Sequence, residues 1–365
     1  SANSLADLEP EANEDSAFRI TLANPEQQPI ACKSRPLPFH LKEKVREAIQ
    51  QQLEAGIIRP SKSPWTAALR VVHKDQGAIR ITVDYKPLNK VIVVEKYPIP
   101  PVVELYARAA NGGYFSKLDM KAAYHQIPVH PNSIKFTAFI CEFGLFEYLS
   151  MPMGIASAPA WFQCFIDNVL SEFIVRKSLI AYMDDILVFN ATLEMHAKEV
   201  SAVLSKLNER RLKASPKSQL VKKSIEFLGQ VIGGGEIKPL PNRAECILNM
   251  SRPKTLNELQ RFMGIANYSR VYIPKYAELT HALYSLMKVK DVPPSKRKKS
   301  NGAINGKKII LEWTDEANEA FENLKRAMSG DLVLALPSLE HDFIVNTDAS
   351  DHEYGAFLEQ VVDDK

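Results

Sequence analysis

Two adjacent acids inside an apolar stretch constrain this chain more than any other feature. Asp184 and Asp185 stand between Ala181-Tyr182-Met183 and Ile186-Leu187-Val188-Phe189, which have the make-up of two short buried strands. A partly buried carboxylate costs several kcal/mol unless it is paired or bound to a metal. Taken alone, such a pair is more often only a turn, because Asp is common there. A second segment changes the balance: Phe115-Ser116-Lys117-Leu118-Asp119-Met120 is another short strand-like run that ends on an acid. Three carboxylates from two strand ends suit a pair of hard divalent cations such as Mg2+, with Mn2+ able to substitute. Two such ions can clamp the attacking and the leaving oxygen of an in-line phosphoryl displacement, the chemistry of a polymerase or a nuclease.

The length of 365 residues allows two or three domains and an ample core. With 45% hydrophobic and 24% charged residues, the composition sets aside collagen-like, disordered and disulfide-scaffold classes. A net charge of +3 gives no overall basic footprint for nucleic acid, so polarity has to be read segment by segment. Cys32, Cys141, Cys164 and Cys246 are too scattered for a zinc site and too few for a disulfide framework, which makes reduced, intracellular thiols the expectation. No apolar run reaches a membrane span and the acidic N-terminal stretch has no signal-peptide core, so a soluble protein without a membrane partner is expected.

Along the chain, residues 1–35 read as an extended arm whose order depends on docking. Leu41, Val45, Ile49 and Leu53 predict a helix over 41–55 that stops at Gly56. AALRVVHKDQGAIRITVDY predicts a hairpin that projects Lys74 and Arg80 from one face. Helices are predicted after Pro159, with Phe162, Phe165, Ile166, Val169, Leu170 and Phe173 on the packed face, and from Leu193 to Lys213, with Val200, Val203, Leu204 and Leu207 inward. FLGQVIGGGEIK gives a strand and a glycine-rich turn, and Thr255-Leu256-Asn257-Glu258 has the form of a capping box opening a helical module. A basic linker, one helix over 315–328 and two strand-like runs, 343–348 and 354–359, complete the chain.

FSKLDMKAAYHQIPV, FTAFICEFGLFEYLSMPMGIASAPAWFQ, AYMDDILVF and EFLGQVIG occur in that order. Together they closely resemble the reverse transcriptase of gypsy-type LTR retrotransposons. AGIIRPSKSPW, AIRITVDYKPLNK and LNELQRFMGIANYSRVYIPKY extend the resemblance over roughly Pro29 to Gln360. It implies an α+β right-hand polymerase: fingers and palm over 36–235, a helical thumb over 236–290, a basic linker over 291–308 and the start of an RNase H-like domain over 309–365. Asp119, Asp184 and Asp185 match the metal-binding catalytic acids, with Asp185 the weaker ligand in many relatives, and Met120 would lend a backbone carbonyl. Arg80 and Lys74 match fingers residues that close on the incoming triphosphate, a task suited to a guanidinium fork. Tyr124 matches the steric gate against a 2′-hydroxyl. Met153-Gly154 matches the segment between template and nucleotide, where most relatives have an aromatic in place of Met153. Phe227-Leu228-Gly229 matches the primer grip, Lys217 or a nearby lysine the proton donor to pyrophosphate, and Gln260, Arg261, Asn267 and Tyr268 a thumb face toward the duplex. For any one of these four thumb residues a solvated helix face is an equal reading.

Ile344-Val345-Asn346-Thr347-Asp348-Ala349-Ser350-Asp351 with Tyr354-Gly355-Ala356 resembles the opening strands of an RNase H domain, Asp348 being its first metal carboxylate. Its remaining acids fall beyond Lys365, so no RNase H activity is expected of this polypeptide. The linker lysines and arginine, Lys296 to Lys299 with Lys307 and Lys308, read as a solvated spacer or as a phosphate-contacting tether. The resemblance further implies an RNA template with a DNA or tRNA primer, an RNA–DNA hybrid and dNTPs as partners. It also implies a homodimer or a polyprotein-derived partner subunit, and a cytoplasmic site in virus-like particles with the DNA product destined for the nucleus. A catalytically silent relative kept for nucleic-acid binding or as a structural subunit is the alternative. An RNA-dependent RNA polymerase would need a small residue where Tyr124 stands.

Overall fold

The computed structural model describes residues 4–8, 16–73, 79–109, 112–240, 246–270, 273, 275–288, 309–329, 334–335, 342–349 and 354–359. The chain divides into two compact units, Ser1–Ile225 and Glu226–Lys365.

In the first unit the arm is docked from Ser16 onward. Phe18 is fully buried, its amide donates to the Pro128 carbonyl at 2.8 Å, and bridges join Leu22 to Ile92 and Ala31 to Thr66. Helix α1 (Lys42–Glu54) buries Val45 and Ile49 and ends at Gly56, whose φ of +66° is a conformation that glycine adopts without strain. There follow β1 (Ile58–Pro60), the antiparallel hairpin β2 (Ala67–His73) and β3 (Ile79–Asp84), and the helices α2 (Lys86–Asn89) and α3 (Val102–Ala109). The hairpin turn, Lys74 included, lies outside the described residues. Next come β4 (Tyr114–Asp119), α4 (Pro131–Ile134), β5 (Phe139–Cys141), β6 (Gly144–Tyr148), α5 (Ala158–Val169), α6 (Ser171–Val175), β7 (Leu179–Tyr182), β8 (Asp185–Asn190), α7 (Leu193–Glu209) and β9 (Gln219–Lys222). They make one sheet in the order β1-β6-β5-β2-β3 and a second in the order β7-β8-β4-β9.

The second sheet carries the acids, and its middle strands are buried on both faces: Phe115, Ser116 and Leu118 in β4 and Ile186 to Phe189 in β8. Ser116 is buried without strain because its hydroxyl donates to His196 Nε2 (2.8 Å) while accepting from the Val221 amide (3.0 Å). Asn190 Oδ1 accepts a hydrogen bond from His196 Nδ1–H at 2.9 Å, the neutral tautomer that leaves Nε2 to accept from Ser116. Ser116 and His196 are fully buried, and with the half-buried Asn190 they fasten β4, α7 and β9 together and offer no open nucleophile. Helix α7 ends at Glu209 rather than at Lys213, because Arg211 turns to a φ of +54° and starts the return to β9. Leu204, expected inward, stands at the edge of the buried stripe and is 37% exposed.

From the unit boundary onward, β10 (Ser224–Phe227, whose first two residues belong to the first unit), β11 (Gln230–Gly233), β12 (Glu236–Pro239) and β13 (Leu334–Ala335) form a sheet in that order. The β11–β12 turn uses Gly234 and Gly235 at φ +63° and +76°. Helix α8 (Leu256–Tyr268) is capped at Thr255, whose hydroxyl oxygen accepts from the Glu258 amide at 3.3 Å, while Glu258 reaches back to the Lys254 amide at 2.7 Å. Leu259, Phe262, Met263 and Ala266 form its buried stripe. With α9 (Tyr276–Met287) and α10 (Asp315–Ser329) it encloses a core in which the Phe262 and Phe321 rings lie 4.7 Å apart. The linker over 291–308 lies outside the described residues. A final hairpin pairs β14 (Ile344–Ala349) with β15 (Tyr354–Glu359) and sets Asp348 opposite Gly355; the Asp348 side chain is outside the described set.

Candidate active site

The site is built from strand register. Tyr182 pairs with Asp185, so Met183 and Asp184 alone make the β7–β8 turn, and Met183 takes a φ of +55°. That left-handed conformation costs a non-glycine residue about 1 kcal/mol and persists only where the surroundings hold it. Across the sheet Asp119 pairs with Asp185, and the Met120 amide donates to the Asp184 carbonyl at 3.2 Å. Register alone therefore gathers three acids at one end of the sheet.

Polar groups behind the strands lock this end. The Asp119 amide donates to Ser218 Oγ at 3.1 Å, and the Asp119 carbonyl accepts from the Ser215 amide at 2.6 Å. Gln126 is buried and clamps two segments, donating to the Lys121 and Lys213 carbonyls and accepting from the Lys213 amide at 2.6 Å. Gln163, fully buried on α5, accepts the Met183 amide hydrogen at 2.7 Å and donates to the Ala181 carbonyl at 3.0 Å.

Asp119 and Asp184 open on one cleft of about 230 Å³. Met120, Tyr124, Arg80, Met153 and Lys217 line it with them. Burial pushes the Asp184 carboxyl above its ordinary range, and the charges of Asp185 and Asp119 add to that against a backbone hydrogen bond. Tyr124 packs edge-on to Phe162 at 5.3 Å, and burial, then the Asp184 charge, raises its phenol. The Arg80 guanidinium is directed at the Met153 sulfur. Asp185 does not line the cleft; its carboxylate is paired with Lys117 Nζ at 3.0 Å. Among the described residues no group of three His, Cys, Asp or Glu side chains surrounds a single point. The donors that face the cleft are thus two hard carboxylates crowded by like charge, which fits divalent cations: such ions bind oxygen and relieve that crowding.

Gly154 sits beside this cleft at φ +101°, and a Cβ there would meet the Val83 carbonyl oxygen at 3.3 Å. Asn89 holds the segment, donating to the Gly154 carbonyl and accepting from the Ala156 amide, both at 2.9 Å. In the second unit, Phe227 is buried, and Leu228 and Gly229 form a turn at φ +46° and +84°. The Tyr268 hydroxyl donates to the Leu228 carbonyl at 3.1 Å, so the turn is fastened to α8. Gln260 and Arg261 are exposed on α8, whereas Asn267 Oδ1 accepts from the hydroxyls of Tyr276 (3.0 Å) and Tyr284 (3.1 Å). Gln126, Gln163, Ser215, Ser218 and Asn89 were not read from the sequence. For Gln163 a signal exists: a polar residue between Phe162 and Phe165 in the packed stripe of a helix.

Residues 72–232 match the family described as reverse transcriptase (RNA-dependent DNA polymerase), and residues 313–365 match the RNase H-like domain found in reverse transcriptase. The Transposon Tf2-3 polyprotein of Schizosaccharomyces pombe is 35% identical over 348 residues, covering 95% of this chain and 25% of that polyprotein. The Tf2-7 polyprotein of the same yeast is 34% identical over the same span. The chain therefore spans about a quarter of the length of the curated relatives it matches. Among solved structures, a foamy viral protease-reverse transcriptase in complex with dsDNA aligns with a TM-score of 0.82 at 22% identity, covering 93% of this chain and 68% of that one. The same viral protein in complex with RNA/DNA hybrid aligns at 0.79 and 22% identity, covering 93% and 44%. The fold is thus that of a reverse transcriptase, and the chain belongs with the reverse transcriptases of gypsy-type LTR retrotransposons.

Proposed function

We propose that this chain is an RNA-directed, and DNA-directed, DNA polymerase that copies retrotransposon RNA into DNA. One observation carries the reading: Asp119 and Asp184 open on a single cleft with Arg80, Tyr124 and Lys217. In the reaction the primer 3′-hydroxyl loses its proton to solvent and its oxygen bonds to the α-phosphorus of a dNTP, while the bond from that phosphorus to the β-phosphate oxygen breaks and pyrophosphate leaves. Bound to these carboxylates, Mg2+ or Mn2+ would neutralise charge on the attacking and leaving oxygens. Arg80, Lys217 and Tyr124 all line the cleft, which supports these roles: the guanidinium would take the triphosphate oxygens, Lys217 would give a proton to the departing pyrophosphate, and the Tyr124 ring would bear on the sugar.

The nucleic-acid partner is supported by the foamy viral structures, which hold an RNA/DNA hybrid and dsDNA. An exposed face on α8, with Gln260, Arg261 and Tyr268, supports duplex contact by the second unit. That the yeast relatives are polyproteins supports a polyprotein-derived partner subunit; a second copy as partner and a cytoplasmic particle as the place of synthesis belong to the same proposal and rest on the family resemblance alone. Primer extension on a homopolymer RNA template tests the reading. Extension with Mg2+ or Mn2+ and none with EDTA is expected; a protein that binds the hybrid with steep salt dependence yet incorporates nothing would be the silent relative.

A further inference from the structure

The Met183-Asp184 turn depends on which way the Gln163 amide faces. Its oxygen accepts the Met183 amide hydrogen at 2.7 Å, and its nitrogen donates to the Ala181 carbonyl at 3.0 Å and to Asp167 Oδ1 at 2.9 Å. A carbonyl and an ionised carboxylate only accept, so the Ala181 carbonyl and Asp167 together select the orientation with the NH2 toward themselves and the oxygen toward Met183, and Asp167 holds the second NH2 hydrogen. The reversed amide would set NH2 against the Met183 N–H, leaving a buried donor unmade beside a residue already at φ +55°. Asp167 is held in turn: the Tyr97 hydroxyl donates to its other oxygen, Oδ2, at 2.9 Å. Burial, and then Asp167 itself, pushes the Tyr97 phenol up to about 12, so it remains a donor through the neutral range. Tyr97 stands on the wall of a separate cavity of about 470 Å³ with Trp161 and Phe165, which shares no lining residue with the active-site cleft.

Resting on the polymerase reading of Asp184, we infer that Tyr97 and Asp167 are positioning residues for nucleotidyl transfer, acting through Gln163 to hold the Met183-Asp184 turn. Neither touches the cleft. Three hydrogen bonds in series connect them to the amide next to the catalytic acid, so their loss loosens the placement of Asp184 without removing any group that binds hybrid or dNTP. A misplacement of the order of 1 Å at a reacting centre costs about 100-fold in rate.

Single-nucleotide incorporation by the whole chain on an RNA-templated primer tests this, with wild type, Tyr97→Phe, Asp167→Asn, Gln163→Leu and the Asp167→Asn/Gln163→Leu pair. Asp167→Asn is expected to lower kcat about tenfold and Tyr97→Phe about threefold, with KM for dNTP, Kd for the hybrid and Tm close to wild type. In the Gln163→Leu background Asp167→Asn is expected to add nothing, because its route to the turn is gone. An active wild type with unchanged kcat in both single variants overturns the inference. So does a rate loss that moves with KM, hybrid Kd or Tm, or that adds fully in the double variant. A wild type that incorporates nothing would overturn the polymerase reading instead.

Discussion

Lys117 and Asp185 are joined by an ion pair of 3.0 Å, while the neighbouring Asp184 turns into the cleft beside Asp119. Two adjacent acids thus have opposite environments, and their neutral variants should move stability in opposite directions. Asp185→Asn leaves a partly buried Lys117 without its partner and is expected to cost about 1 kcal/mol. Asp184→Asn removes like-charge crowding and is expected to raise the melting midpoint in EDTA. The Asp184 carboxyl lies above its ordinary 3.8, so its cost to the fold is present above the raised value and fades as pH falls toward 3.8. The stability advantage of Asp184→Asn should fade over the same window in thermal melts, and Mg2+ should stabilise wild type more than the variant.

His125 stacks on Tyr148 with ring centroids 5.9 Å apart, and its Nδ1 is buried without a hydrogen-bond partner among the described residues. Burial pulls the ring down to about 4 from 6.5, against a backbone hydrogen bond. The unfolded chain takes a proton that the folded one refuses, so stability is lost as pH falls from about 6.5 to 4, by at most about 3 kcal/mol. His125→Phe keeps the stack and should flatten this part of the profile in urea titrations; burial pulls His196 the same way, so some slope will remain.

Gly264 lies in the interior of α8 on its exposed side, and a Cβ there would meet nothing within 4 Å. A helix-interior glycine costs about 1 kcal/mol relative to alanine. Gly264→Ala should therefore stabilise the chain by about that amount. If α8 approaches a duplex closely at this point, the same change should weaken hybrid binding severalfold in a fluorescence-anisotropy titration.

Tyr124 lines the cleft with Asp119 and Asp184 and packs on Phe162, so replacing its ring opens room in the cleft, on the side the proposed function gives to the sugar. Tyr124→Val is expected to raise ribonucleotide incorporation relative to dNTP by at least tenfold. Equal discrimination by variant and wild type would remove Tyr124 from the gate.

The acids were legible because a charge inside an apolar run needs a reason, and two such runs at strand ends share one. Their division of labour was not legible: which of Asp184 and Asp185 meets the cleft depends on the turn at Met183 and on where Lys117 lies across the sheet. Periodicity found the α5 and α8 faces, yet it placed Leu204 inward, since a four-residue step from Val200 falls at the edge of the stripe. Gln126 and Gln163 escaped notice because an amide earns its place inside only through partners far away in sequence. Strand register and tertiary hydrogen bonds supply that information, and no local pattern carries it.

The central claim is that Asp119 and Asp184 together supply the oxygen ligands for catalysis, and rapid-quench incorporation of one dNTP on a saturating RNA-templated primer tests it most directly. Several kcal/mol of charge stabilisation corresponds to a rate loss of at least about 1,000-fold for Asp119→Asn and for Asp184→Asn, with hybrid affinity retained. Incorporation by either variant at near wild-type rate would contradict it.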